Sequence, residues 1–242
     1  MIDNHKLLIE KVVIFIVEDA FDGTPIECGK YPSLDEFTKK GQSGFLSTFN
    51  DSTDVVPQLV GSHYYTENRL SEILGPMKLA VLKRHSKYNG FGDSQSILDI
   101  SLEDIYIKIE ECFTSHDVII VELDNLSNLN YLISKLLPNV VSENHAICAI
   151  CGYQNNVKVP TFPTPPIVDP SWKIIGPDVV ESLSVEHPML YVSLSKQLTR
   201  VDYTNFFSEK EISEHCGMGV MPICQLFREF SYYTGSTWKY GA

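Results

Sequence analysis

The chain has 242 residues, 43% of them hydrophobic and 21% charged, which supplies apolar material for one sizeable core and predicts a single domain over 1–242. Lys and Arg number 19 against 31 Asp and Glu, a formal net charge of −12, and this disfavours nucleic acid and anionic membranes as partners because both are bound by basic faces. No apolar run approaches the roughly 20 residues of a membrane span, the N-terminus lacks a cationic region followed by an apolar stretch, and six scattered cysteines read as reduced thiols, so the expectation is a soluble cytoplasmic protein.

Lys11-Val-Val-Ile-Phe-Ile-Val-Glu-Asp19 is β-branched, aromatic and apolar on both faces, as a central parallel strand requires. A short helix is predicted over Ser33 to Lys40, with Ser33 and Glu36 as a capping box and Gly41 as its left-handed stop. Ser43 to Phe49 and Lys78 to Lys83 read as strands, and Glu67 to Leu74 as a helix halted by Gly75-Pro76. Ser101 opens an amphipathic helix carrying Leu102, Ile105, Ile109 and Cys112 on one stripe, followed by a strand over Val118 to Leu123. Leu126 to Leu137 is predicted as a helix ended by Pro138, and Ala146 to Cys151 as another buried strand. Pro160, Pro163, Pro165, Pro166 and Pro170 make 157–172 an extended loop internal to the domain. Met189 to Leu194 then reads as a strand, Ser208 to His215 as a capped helix, and Val220 to Tyr233 as a terminal helix. This β-then-α rhythm predicts an α/β/α protein, three layers with a mostly parallel central sheet, whose chemistry sits beyond the carboxyl ends of the strands. The candidates there are Glu18 and Asp19, Glu122 and Asp124, and Gly152, Tyr153 and Gln154.

Several segments, in order, resemble the cofactor-independent phosphoglycerate mutases of the archaeal type, members of the alkaline phosphatase superfamily. They are Thr24-Pro-Ile-Glu, Tyr31-Pro-Ser-Leu-Asp35 and Gly41-Gln-Ser-Gly-Phe-Leu46 near one end, with Gly217-Met-Gly-Val-Met-Pro-Ile-Cys224 and the closing Lys239-Tyr-Gly-Ala242 at the other. The resemblance implies an alkaline-phosphatase-like fold over the whole chain, without the family's inserted domain, for which Gly61 to Ser101 leaves no room. It also implies a site built on paired divalent metals, manganese or zinc, and a Ser or Thr nucleophile that takes up phosphate. Asp19 matches the family's first metal-binding Asp, and Ser52 with Asp54 falls at the nucleophile motif. The remaining ligands are replaced: no His follows Asp124, Tyr153 and Gln154 stand where the family has Asp-His, and Ser184 stands near the place of the last His, with His187 displaced beside Pro188. Tyr and Gln bind divalent metals poorly.

Read without the resemblance, Ser52 is a turn residue and Asp19 a strand-end acid. Cys148 and Cys151 point to opposite faces of a strand and read as core thiols, while the aromatic C-terminus of Phe227, Phe230, Tyr232, Tyr233 and Trp238 is core or a partner-binding patch. The expectation is a catalytically inactive phosphoglycerate-mutase-like protein, a pseudoenzyme acting as a structural or protein-interaction subunit with other proteins as partners and no cofactor. The alternative is a residual phosphoglycerate mutase or phosphohydrolase that uses Ser52, Asp54, Asp19 and His187 with Mn, Mg or Zn and takes phosphoglycerate. Asp19, Asp124 and Tyr153 are expected at one end of the sheet, with the Tyr153 ring projecting into the cleft.

Overall fold

A computed structural model describes residues 9–48, 54–61, 75–84, 86, 88–142, 144–154, 157, 174–175, 178–179, 184–196, 202–217 and 219–236. Ser52, the helix expected over 67–74, the proline-rich segment beyond Val157 and Trp238 lie outside the described residues. In chain order the elements are β1 (Lys11–Phe21), α1 (Pro32–Lys40), β2 (Gln42–Thr48), α2 (Val55–Val60), β3 (Leu79–Lys83), β4 (Asp93–Ser96), α3 (Leu102–Phe113) and β5 (Val118–Glu122). They continue with α4 (Leu126–Ser142), β6 (His145–Tyr153), the two-residue β7 (Ile174–Ile175) and β8 (Asp178–Val179), β9 (Ser184–Ser195), α5 (Glu209–His215), β10 (Val220–Pro222) and α6 (Ile223–Tyr233).

Eight strands form one sheet in the order β10-β2-β9-β6-β1-β5-β3-β4, and β7 pairs with β8 apart from it. Within the sheet β9 alone runs against the others, antiparallel to both β2 and β6. The alternation along β1 shows why the sheet is central. Val13, Phe15 and Val17 enter one buried cluster with Leu34 and Phe37 of α1, Ile105 and Ile109 of α3, and Leu129, Leu132 and Ile133 of α4. Val12, Ile14 and Ile16 enter the other, with Val56 and Leu59 of α2 and Leu226, Phe227 and Phe230 of α6. Each such side chain removed from water contributes about 1.5–3 kcal/mol, which holds a helical layer on each face of the sheet.

Local expectations fare unevenly. Ser101 caps α3 by accepting from the Asp104 amide, and Ser208 caps α5 by accepting from the Glu211 amide. For α1 the cap comes from elsewhere: the Asn130 side-chain oxygen, on α4, accepts from the Ser33 and Leu34 amides, while Glu36 pairs with Lys40. Gly41 is extended rather than left-handed; a Cβ there would stand 2.6 Å from the Ser193 carbonyl oxygen, so close packing against β9 explains the glycine. Pro138 does not end α4, which runs through it to Ser142. Leu136, Leu137 and Val140 are all buried in one cluster, and that burial offsets the lost backbone bond. The terminal helix starts later than its apolar run, because Val220–Pro222 pairs with β2 first. Phe227 and Phe230 are core and Tyr232 and Tyr233 half-buried, so α6 offers no exposed aromatic patch.

Candidate functional site

Strands β1, β5 and β6 are parallel neighbours, with Val12 to Ile16 in register with Val118 to Glu122, and Lys11 to Val17 with His145 to Cys151. Beyond Val17 the register breaks: Phe21 pairs with Tyr153, so Glu18, Asp19 and Ala20 bulge out of the ladder. A bulge re-aims side chains, and this one turns Glu18 and Asp19 into a cleft of about 150 Å³ lined with Ile16, Glu122, Leu123 and Asp124. Gly152 permits the close approach of β6, since a Cβ there would lie 2.3 Å from the Glu18 carbonyl oxygen.

Three acids of the cleft are engaged by the protein. Glu122 is buried, and its Oε2 accepts from the backbone amides of Arg84 at 2.7 Å and Ser86 at 3.0 Å. The Arg84 side chain turns to Asp124, with Nε 2.7 Å from Oδ1. Glu18 accepts from the Val55 amide at 3.4 Å, which brings the start of α2, and with it Asp54, beside the bulge. Burial above all raises the Glu18 carboxyl above the usual range; the Val55 amide opposes this, and the charges of Glu122, Asp54 and Asp19 add to it. The cleft is therefore a site of negative potential. Its chemistry is that of carboxylates, which attract cations and repel phosphoryl groups.

Asp19, Asp124 and Tyr153 do share one end of the sheet, and Asp19 and Asp124 share the cleft. The Tyr153 ring does not plug it. It packs tilted against Phe21 with centroids 5.0 Å apart, Phe21 stacks in turn on Phe207, and Tyr153 packs against the cluster shared with α1, α3 and α4. The reason is period: two residues beyond Cys151 on β6, Tyr153 points to the same face as that buried thiol. Burial first, then the facing Glu209, push the Tyr153 phenol up, and burial raises Glu209 as well. Cys148 and Cys151 enter opposite clusters, and burial pushes both thiols up. Ser52 lies outside the described residues. His187 belongs to β9, three positions before Leu190, which pairs with Cys151, so its backbone is at this end of the sheet. Arg84, which pairs with Asp124 of the cleft, is the residue that the sequence reading missed. The signal was available: a cation follows the apolar run of β3 where the neighbouring runs end in acids.

No protein-family model matches the sequence, and no curated protein matches it. Solved structures do match the fold. The PH0037 protein from Pyrococcus horikoshii is similar with a TM-score of 0.66 and 10% identity, covering 97% of this chain and 99% of that one. The cofactor-independent phosphoglycerate mutase from Thermoplasma acidophilum matches with a TM-score of 0.56 and 9% identity, covering 93% of this chain and 100% of that one. The lipoteichoic acid synthase LtaP from Listeria monocytogenes gives a TM-score of 0.55 and 12% identity over 97% of this chain and 74% of that one. The architecture is thus alkaline-phosphatase-like, a fold it shares with the Thermoplasma mutase and the Listeria synthase.

The paired metals that the sequence resemblance implies do not fit the described donor set. Asp124 is committed to Arg84 and Glu122 to two amides. Among the described residues no three His, Cys, Asp or Glu side chains are grouped to hold a metal ion. No described helix is long and apolar enough to cross a membrane.

Proposed function

We propose that this protein is a catalytically inactive, phosphoglycerate-mutase-like member of the alkaline phosphatase superfamily that serves as a structural or protein-interaction subunit in the cytoplasm and uses no metal cofactor. The observation that carries the reading is the state of the strand-end acids: Asp124 is neutralised by Arg84, and Glu122 is held by amides. The resemblance supports the same reading, since Tyr153 and Gln154 stand where the family has an acid and an imidazole. A surface for partners is supported by Tyr203 and Phe206, which stand exposed on a loop pinned by Asp202 to the Ser43 and Gly217 amides and by the Phe207 amide to Asp35. Rigid exposed aromatics are the side chains that most often anchor protein contacts. The test is an assay of purified protein for phosphatase and mutase turnover with added manganese, magnesium or zinc; no turnover is expected, and turnover abolished by Ser52→Ala overturns the reading. Migration of the native protein as a free monomer removes the subunit role.

One observation favours the residual-enzyme alternative. The Val55 contact to Glu18 brings Asp54, two residues after Ser52, to the cleft that Asp19 lines. Under that reading Ser52 is the nucleophile and His187 and Asp19 serve a metal, and the Ser52→Ala assay decides between the two.

A further inference from the structure

The described residues bring Glu18, Asp19, Asp54, Glu122 and Asp124 together at one end of the sheet, with the Arg84 guanidinium against the β5 end of the group. We propose that Arg84 is the built-in counter-cation of this cleft: its guanidinium does for Asp124 what a divalent metal does in an acidic strand-end site, while its backbone amide holds the neighbouring Glu122, so that this side of the cleft assembles without metal. The inference rests on the reading of the site as non-catalytic.

The geometry is a clamp made by one residue. Arg84 immediately follows β3, and β3 lies beside β5 with Leu82 opposite Val121. From that place its backbone amide donates to Glu122 while its side chain reaches Asp124, two residues further along the partner chain segment. The side chains of Arg84 and Asp124 are only 18% and 33% exposed, so the pair is shielded from water more than a surface ion pair is, and removing one member withdraws compensation from a partly buried charge. Arginine stays protonated at every accessible pH, which makes this a permanent counter-charge. A divalent ion arriving at Asp124 meets a cation already at contact distance and has to displace it. The Ser86 amide adds a second donor to Glu122, and Lys83, one residue earlier, turns its ammonium to the Tyr88 carbonyl and Asn89, fixing the segment that delivers Arg84.

Thermal unfolding of the full chain, measured in EDTA and in millimolar manganese, tests the proposal on the wild type, Arg84→Ala and Arg84→Lys. The wild-type midpoint is expected to be the same in both solutions. Arg84→Ala is expected to fall by roughly 4–8 °C in EDTA and to regain part of that loss in manganese, because Asp124 then lacks the guanidinium that contacts it. Arg84→Lys keeps the charge but not the guanidinium fork, so it is expected to lie between the other two and to ignore manganese. A wild type that loses stability in EDTA or gains it saturably with manganese overturns the proposal, as does an Arg84→Ala midpoint equal to wild type or a manganese response in Arg84→Lys. If Arg84→Ala does not fold, the wild-type and Arg84→Lys arms still decide. Metal-dependent stability without turnover sinks this inference and leaves the inactive reading standing; Ser52-dependent turnover by a protein whose midpoint ignores metal does the reverse.

Discussion

At the amino ends of the strands, charges of opposite sign meet one another. The Lys11 ammonium donates to the His116 carbonyl at 2.8 Å and lies 3.9 Å from Asp117. Asp117 accepts from the Lys78 amide, and the His116 ring is 3.0 Å from Asp93. At the carboxyl ends the β1 bulge and the end of β5 crowd acids around one cleft, and the Glu18 carboxyl is raised there, by burial first and by the neighbouring acids in addition. Stability gives no reason for that crowding, since like charges in a partly dry cleft repel. The difference teaches where the fold keeps its site: the amino ends are tied off by paired polar contacts, and the carboxyl ends carry a concentration of charge that the surrounding chain has to hold in place.

The largest effect is expected from Gly152→Ala, which attacks the backbone that shapes the carboxyl end. The new Cβ would stand 2.3 Å from the Glu18 carbonyl oxygen and 2.9 Å from Met189, and backbone on a central strand cannot move aside cheaply. A loss of about 3 kcal/mol is expected, read from denaturant midpoints at an unchanged slope. A loss below about 1 kcal/mol would show that the bulge and β6 are not packed as described.

Next in size is Glu122→Ala. It strips the acceptor from the Arg84 and Ser86 amides, and unsatisfied buried donors cost about 1–3 kcal/mol. It also removes one of the charges that raise Glu18, so the Glu18 carboxyl, followed by NMR, is expected to titrate closer to the ordinary range. Loss of stability without that movement would mean that Glu122 is a structural acceptor and no part of the cleft's field.

The acids of this site were legible because the apolar runs of β1 and β5 each end in them: Glu18 and Asp19 after Val17, Glu122 and Asp124 around Leu123. What no run of residues carries is register. The bulge that turns Glu18 and Asp19 into the cleft exists only in the pairing of β1 with β6. Arg84 went unread because Lys83-Arg84 at a strand end looks like ordinary solvated charge until β5 is placed beside β3. The antiparallel course of β9 is silent in the same way, since a strand buried on both faces looks alike in either direction. β4 was missed for a different reason: Asp93-Ser-Gln-Ser96 is polar throughout, as the edge of a sheet allows. The three layers, by contrast, were readable, because helix and strand periods alternate along most of the chain.

A pH experiment sharpens the contrast further. The Glu18 carboxyl is raised, so the folded protein holds that proton more tightly than the unfolded chain. The stability it contributes is fully present below the ordinary glutamate range and is lost as the pH rises through the raised folded value. Glu18→Gln removes that decline, and above the window the variant is expected to be at least as stable as wild type. Solvent reaches Glu18, so the gain is small, under about 1 kcal/mol. Parallel pH curves for the two proteins would remove Glu18 from the electrostatics of the cleft.

The smallest effect belongs to the amino end. Asp93 meets His116 Nε2 at 3.0 Å, but its own side chain is 78% exposed while that of His116 is 13% exposed. An acid so open to water has little desolvation to recover, and salt screens its attraction to any charge on the ring. His116 moreover keeps a second contact through its other ring nitrogen to the Ser115 hydroxyl at 2.9 Å. Asp93→Asn is therefore expected to cost less than about 1 kcal/mol and to leave the Glu18 titration untouched, because the two groups stand at opposite ends of the sheet. A larger loss, or a shift at Glu18, would mean that the amino and carboxyl ends are coupled through β3, β4 and β5 and do not manage their charges independently.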